Sequence, residues 1–197
     1  MPSQDDALPI LDLTACRTTP VAQLVEERLG HAVYGQLADQ DTIPSINPPG
    51  LVKLQTTGPV TSRHVVLRDR QPPNWVVAVC WAMFAHDRLP AEVQRDLAAG
   101  GEPLDRLLTM HGVAWTAELL PDENRKTVSR EASVTFRWAR PDTPLLELIR
   151  FLTIDGQPLA MLIDEVPQLP HLGPDEPLVP CRVDERGARA ALSHAAP

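Results

Sequence analysis

The chain has 197 residues, 43% of them hydrophobic and 22% charged, with a net charge of -8 and a pI near 5.2. That balance is ordinary for a globular protein long enough to bury a real core. The acidic surplus disfavours a nucleic-acid surface, which needs clustered Lys and Arg, and no apolar run reaches the length of a membrane span. Cys16, Cys80 and Cys181 are too far apart in sequence for a metal knuckle or a redox pair. Cys80 sits in an apolar run and reads as a buried thiol. The N-terminus lacks the basic-then-apolar order of a signal peptide. These features predict a reduced, soluble, cytoplasmic protein.

In chain order, residues 1–17 read as a loose arm, 18–167 as one domain and 168–197 as a proline-rich tail. "TTPVAQLVEERLGH" predicts a helix with Thr19 as N-cap, Pro20 at the first position and Gly30 as the stop. "HAVYGQLA" predicts a strand, and "DQDTIPSINPPG" a loop dense in turn formers. Val60 to Leu67 is strand-like. "NWVVAVCWAMFA" predicts a strand buried on both faces. "LPAEVQRDLAAGG" and "EPLDRLLTMHG" predict two helices, each opening with proline and closing near glycine. "VAWTAELL" is a further strand, and the alternation from Val134 to Trp138 favours another. Two apolar runs around Asp155-Gly156 then form a hairpin. Helix, strands, two helices, strands: that order argues an α+β fold.

No phosphate-cradling glycine loop, nucleophile elbow or histidine pair at metal spacing is present in the sequence. Two features carry chemistry. Arg63, in "TSRHVVL", shares a strand face with Val65 and Leu67. An arginine on an apolar face needs a carboxylate or an anionic ligand, because an unpaired buried charge is expensive. The competing readings are an internal ion pair or a solvated face. Arg150 lies on the first hairpin strand, and Asp164 and Glu165 close the second. Neighbouring strand residues point to opposite faces, so at most one of these acids faces any pocket. A surface ion pair at a solvated hairpin end is the plainer reading.

Taken together, these segments resemble the chorismate pyruvate-lyase family and the related effector-binding domain known as UTRA. The likeness is by order and spacing, from about Thr18 to Pro167. "TTPVAQLVEERLGHAV" is similar to that family's opening helix and first strand, and "SRHVVL" to the strand with its substrate-binding arginine. "VVAVCWAMFAHDRLP" resembles its central strand, and "GGEPLDRLL" the helix start that lies against the ligand. "DGQPLAMLIDEVP" resembles the last hairpin, whose second strand bears the catalytic glutamate. "TPLLELIRFLTIDGQPL" looks closer to UTRA, where an arginine six residues before the glycine is usual.

The resemblance implies a six-stranded antiparallel sheet with helices packed on one side and an internal ligand pocket. It implies a cofactor-independent carbon–oxygen lyase that removes pyruvate from chorismate to leave 4-hydroxybenzoate. Arg63 would bind the carboxylate, Leu104 and Arg150 would contact the substrate, and Asp164 or Glu165 would be the catalytic acid. The chain departs from the pattern at Asp105, where a glycine is expected, at Asp164, one methylene shorter than glutamate, and at Trp81, where a polar residue is common. Two other readings stand beside the lyase: a free-standing UTRA-type ligand-binding domain, and a biosynthetic enzyme of this fold acting on another substrate. The residues before Leu51 are acidic and show no recognition-helix pattern, so DNA binding by this chain is not expected. The expected partner is a small anionic carboxylate; the sequence is silent on oligomeric state.

Overall fold

The computed structural model describes residues 11–43, 54, 56, 58–120, 126–127, 135–139 and 143–169. Seven strands are β1 (Val33–Ile43), β2 (Val60–Asp69), β3 (Val76–Ala85), β4 (Thr116–Leu119), β5 (Lys126–Thr127), β6 (Pro144–Ile154) and β7 (Gln157–Pro167). Three helices are α1 (Val21–Leu29), α2 (Ala91–Ala99) and α3 (Leu104–Met110). The fold is α+β, as expected. Its antiparallel sheet runs β1-β2-β3-β7-β6-β4, and the two-residue β5 also pairs with β6.

The β6–β7 hairpin forms where the sequence places it. Asp155 (φ 50°) and Gly156 (φ 73°) both take the positive φ that a two-residue type I′ turn requires. The turn sets a register with Ile149 opposite Ile163 and Leu148 opposite Asp164. In β2 and β3, Val65 faces Cys80 and Arg63 faces Ala82; in β3 and β7, Cys80 faces Asp164 and Ala82 faces Leu162. Period-2 alternation therefore puts Arg63, Cys80, Asp164 and Arg150 on one face of the sheet.

That face is the one the helices cover. Val21, Val25 and Leu29 of α1 share an apolar cluster with Val65, Leu67, Cys80 and Leu148. Val93, Leu97, Leu104 and Leu108 of α2 and α3 share a second cluster with Ala82, Phe84, Leu152 and Leu162. The buried charges sit at the seam between these two clusters.

Five local expectations are corrected. The α1 cap is Pro20, with no side-chain cap bond, rather than Thr19. A distant side chain takes over that job: Asp105 Oδ2 accepts from Val21 N at 3.2 Å. Gly30 does end the helix (φ 77°), its N–H donating to Glu26 O at 2.8 Å. Strand β1 continues through Ile43, absorbing the start of the predicted loop, because pairing with β2 outweighs local turn propensity; the rest of that loop lies outside the described residues.

Residues 135–139 form a turn, not a strand. Its Phe136 and Trp138 are buried, and Trp138 Nε1 donates to Val76 O at 2.6 Å. An aromatic at every second position is satisfied by a turn that inserts both rings as well as by a strand; Val134 lies outside the described residues. Residues 11–17 are not a loose arm. Leu11 and Cys16 are buried, and Asp12 Oδ1 caps the 3-10 turn Ala15–Arg17 through Thr14 N at 2.8 Å. Residues 1–10 and 170–197 lie outside the described residues. Finally, β3 is buried along most of both faces, as expected, but not at Trp81 and only partly at Met83. Trp81 is 42% exposed and stacks on His64, with ring centroids 3.8 Å apart and planes at 7°. Trp81 covers its neighbour across the strands on the open side of the sheet.

Candidate ligand-binding site

Arg63 is 1% exposed. Its Nη1 donates to Gln40 Oε1 and to Leu97 O (3.0 Å), and its Nη2 to Gly100 O and to Glu102 O (3.3 Å). Gln40 arrives through a β-bulge: the β1–β2 register shifts between Leu37 and Asp39, which sets Gln40 opposite Arg63. The three carbonyls come from the end of α2 and the α2–α3 connection. Every acceptor is neutral, and among the described residues no carboxylate lies within ion-pair distance of Arg63. Burial lowers its pKa from the ordinary guanidinium value, partly offset by Glu102 at longer range. Its Nε has no hydrogen-bond partner.

The connection can approach this closely because two glycines lie back to back. A Cβ on Gly35 of β1 would stand 2.3 Å from Gly101 O, and one on Gly101 would stand 2.5 Å from Gly35 O. The sheet and the connection thus meet backbone to backbone beside the guanidinium.

One strand pair away lies a second buried cluster. Arg150, fully buried, donates from Nε (3.0 Å) and Nη2 (2.7 Å) to Asp164 Oδ2, from Nη2 to Asp105 Oδ2 (2.7 Å) and from Nη1 to Cys16 O (3.4 Å). Asp105 stands in the first turn of α3. It also accepts from the backbone amides of Val21 and Arg106. Two carboxylates therefore share one guanidinium. Burial opposes the charge on Arg150, but Asp164 and then Asp105 outweigh it and hold its pKa above the ordinary value. Burial raises the pKa of Asp164 above the ordinary carboxylate value; Arg150 works against that rise and Asp105 adds to it. Burial pushes the Cys16 thiol up to about 11, and Cys80 well above its ordinary value. Both thiols are inert at neutral pH.

A group whose pKa is raised in the folded state favours folding while protonated. Its contribution is present below the unfolded value and lost as pH rises through the folded one. Asp164→Asn is therefore expected to flatten part of the pH dependence of stability. In urea titrations, the wild-type protein should lose stability relative to the variant as pH rises from about 4. A constant difference across that range would remove Asp164 from the account.

Arg63, Leu104, Asp105, Cys80 and Asp164 line one cavity, together with Val65, Ala82 and Leu162. Its volume is about 10 Å³, room for about one water. Of the residues singled out from the sequence, the structure brings Arg63, Leu104 and Asp164 together there, and Arg150 stands directly behind Asp164. Glu165 is on the opposite face, half-buried and opposite Val79 and Glu147. Sequence reasoning gave Asp105 only as a departure from a pattern and missed Gln40 altogether. A carboxylate in a first helical turn, shortly after a Gly-Gly pair, was the available signal for Asp105; for Gln40, in an apparent loop, there was none. Among the described residues, no group of His, Cys, Asp and Glu is arranged to hold a metal ion, and no helix is long and apolar enough to cross a membrane.

No family model and no curated protein sequence matches this chain. Solved structures do. PhnF from Mycobacterium smegmatis superposes with a TM-score of 0.55 at 12% identity, covering 75% of this chain and 63% of that one. The C-terminal domain of the histidine utilization repressor from Pseudomonas syringae pv. tomato has a TM-score of 0.51 at 11% identity, covering 74% of this chain and 99% of that one. YydK from Bacillus subtilis, described as a possible transcriptional regulator, reaches 0.50 at 11% identity, covering 76% and 62%. What this chain shares with these structures is the fold. These likenesses overturn the enzyme expectation: two of the structures are described as a domain of a repressor and a possible transcriptional regulator.

Proposed function

We propose that this chain is a small-molecule effector-binding domain of the kind found in transcription regulators, and that its ligand carries a carboxylate held by Arg63. The carrying observation is the state of the guanidinium. Nε and Nη2 share one edge, the edge that grips a carboxylate in two parallel bonds. Nε has no partner, and Nη2 is held only by two backbone carbonyls of the α2–α3 connection. An incoming carboxylate replaces those neutral acceptors with a charged one. Nη1 stays on Gln40 and Leu97, so the side chain remains anchored during the exchange. Because the cavity is water-sized, binding moves the connection outward, and ligand occupancy is thereby written into the position of α2 and α3.

The test is calorimetry with 4-(aminomethyl)benzoate, comparing wild type with Arg63→Lys. Lysine keeps the charge but loses the two-pronged edge. Alanine is less informative, because it would also strip four acceptors of their donor. The expected result is a tenfold to hundredfold weaker affinity, since a hydrogen bond to a charged group is worth about 1.5–3 kcal/mol. Equal affinities in the two proteins would refute the role of Arg63.

A further inference from the structure

We infer that the ligand is a zwitterion, a small aminocarboxylate, and that Asp164 selects its cationic end; this rests on the reading of Arg63 just given. The charges on the cavity wall are arranged in two unlike ends. At one end, Arg63 is a buried cation whose partners are all neutral. At the other, Asp105 and Asp164 share the single cation of Arg150, leaving one carboxylate more than there are guanidinium groups to balance it. A simple anion complements only the first end and is repelled by the second. A ligand with a carboxylate and an ammonium complements both.

Asp164 is better placed than Asp105 to receive the ammonium. Asp105 is spent on the structure: its two oxygens accept from Val21 N, Arg106 N and Arg150 Nη2. Asp164 gives Arg150 only its Oδ2. The Cys80 thiol also bonds the Asp164 carboxylate, and it is a weak donor that an ammonium displaces. The same two ends explain why Asp105, where the resemblance expects glycine, is tolerated beside an anion site. It is the helix-bound member of a charged pair, not an isolated anion.

The experiment compares matched acids by calorimetry on the whole chain at neutral pH. The pairs are 3-aminopropanoate against propanoate, 4-aminobutanoate against butanoate, 5-aminopentanoate against pentanoate, and 4-(aminomethyl)benzoate against 4-methylbenzoate. The expected result is that at least one amino acid binds tenfold or more tightly than its partner. Asp164→Asn should then collapse that preference to about onefold, with the plain acid gaining affinity as the repelling charge is removed. Plain acids that bind as well as amino acids would overturn the zwitterion while leaving Arg63 as a carboxylate site. A preference that survives in Asp164→Asn would remove Asp164 from the selection. Affinities unmoved by Arg63→Lys would instead defeat the reading on which this one rests.

Discussion

Arg150→Met is expected to destabilise the protein by about 3–5 kcal/mol, read as a lower urea midpoint at unchanged slope. Domains of this size have only about 5–15 kcal/mol of stability in all, so the loss approaches unfolding. The reason lies less in the bonds lost than in what remains. Asp105 (1% exposed) and Asp164 (2%) would face each other without a cation, shielded from the solvent that could stabilise them. Methionine fills much the same volume, so a cavity contributes little. A second variant separates these causes. In Arg150→Met/Asp164→Leu one of the orphaned charges is gone, and a good part of the stability should return, at least about 2 kcal/mol. Asp105 is left in place because it also holds the first amide of α1. A loss of under about 1 kcal/mol for Arg150→Met would mean the cluster is reached by solvent, as a surface pair would be.

Most of the architecture is legible in the sequence because it rests on local signals. Asp155-Gly156 between apolar runs encodes a hairpin, and Pro90 and Pro103 with Gly100 and Gly112 mark the limits of α2 and α3. The alternation around Arg63, taken by itself, already puts it on the same face as Val65 and Leu67. What escapes is whatever depends on the partner across the sheet. "DQDTI" looks like a loop until β2 is laid beside it, and only then does the bulge that delivers Gln40 appear. The spacing of Arg150 and Asp164 from the turn leaves open whether they meet. The hairpin register settles it, with Leu148 opposite Asp164 and Arg150 opposite Leu162, so the two charges are diagonal neighbours on one face. The third member, Asp105, comes from a helix and leaves no trace in strand periodicity. The enzyme expectation failed for a different reason. Residue types at matching positions carried over a reaction, although fold and residue order constrain only the scaffold.

Gly35→Val should cost about 3 kcal/mol, at the upper end of overpacking penalties, because the collision is with backbone rather than with a side chain that can turn aside. Valine is a favourable strand residue, so propensity predicts the opposite sign and cannot account for a loss. The added atoms would meet Gly101 O at 2.3 Å and Glu102 Cα at 3.1 Å, pushing the connection away from the sheet. Two of the carbonyls that hold Arg63 travel with it, those of Gly100 and Glu102. The variant should therefore change carboxylate binding as well as stability. Gly112→Ala is the matched control. Its Cβ meets nothing within 4 Å, and its cost comes only from a φ of 66°, about 1–2 kcal/mol. Ligand affinity should follow the substitution at position 35 and ignore the one at position 112. If both variants lost stability equally and bound alike, the backbone contact between β1 and the connection would not be what shapes the guanidinium site.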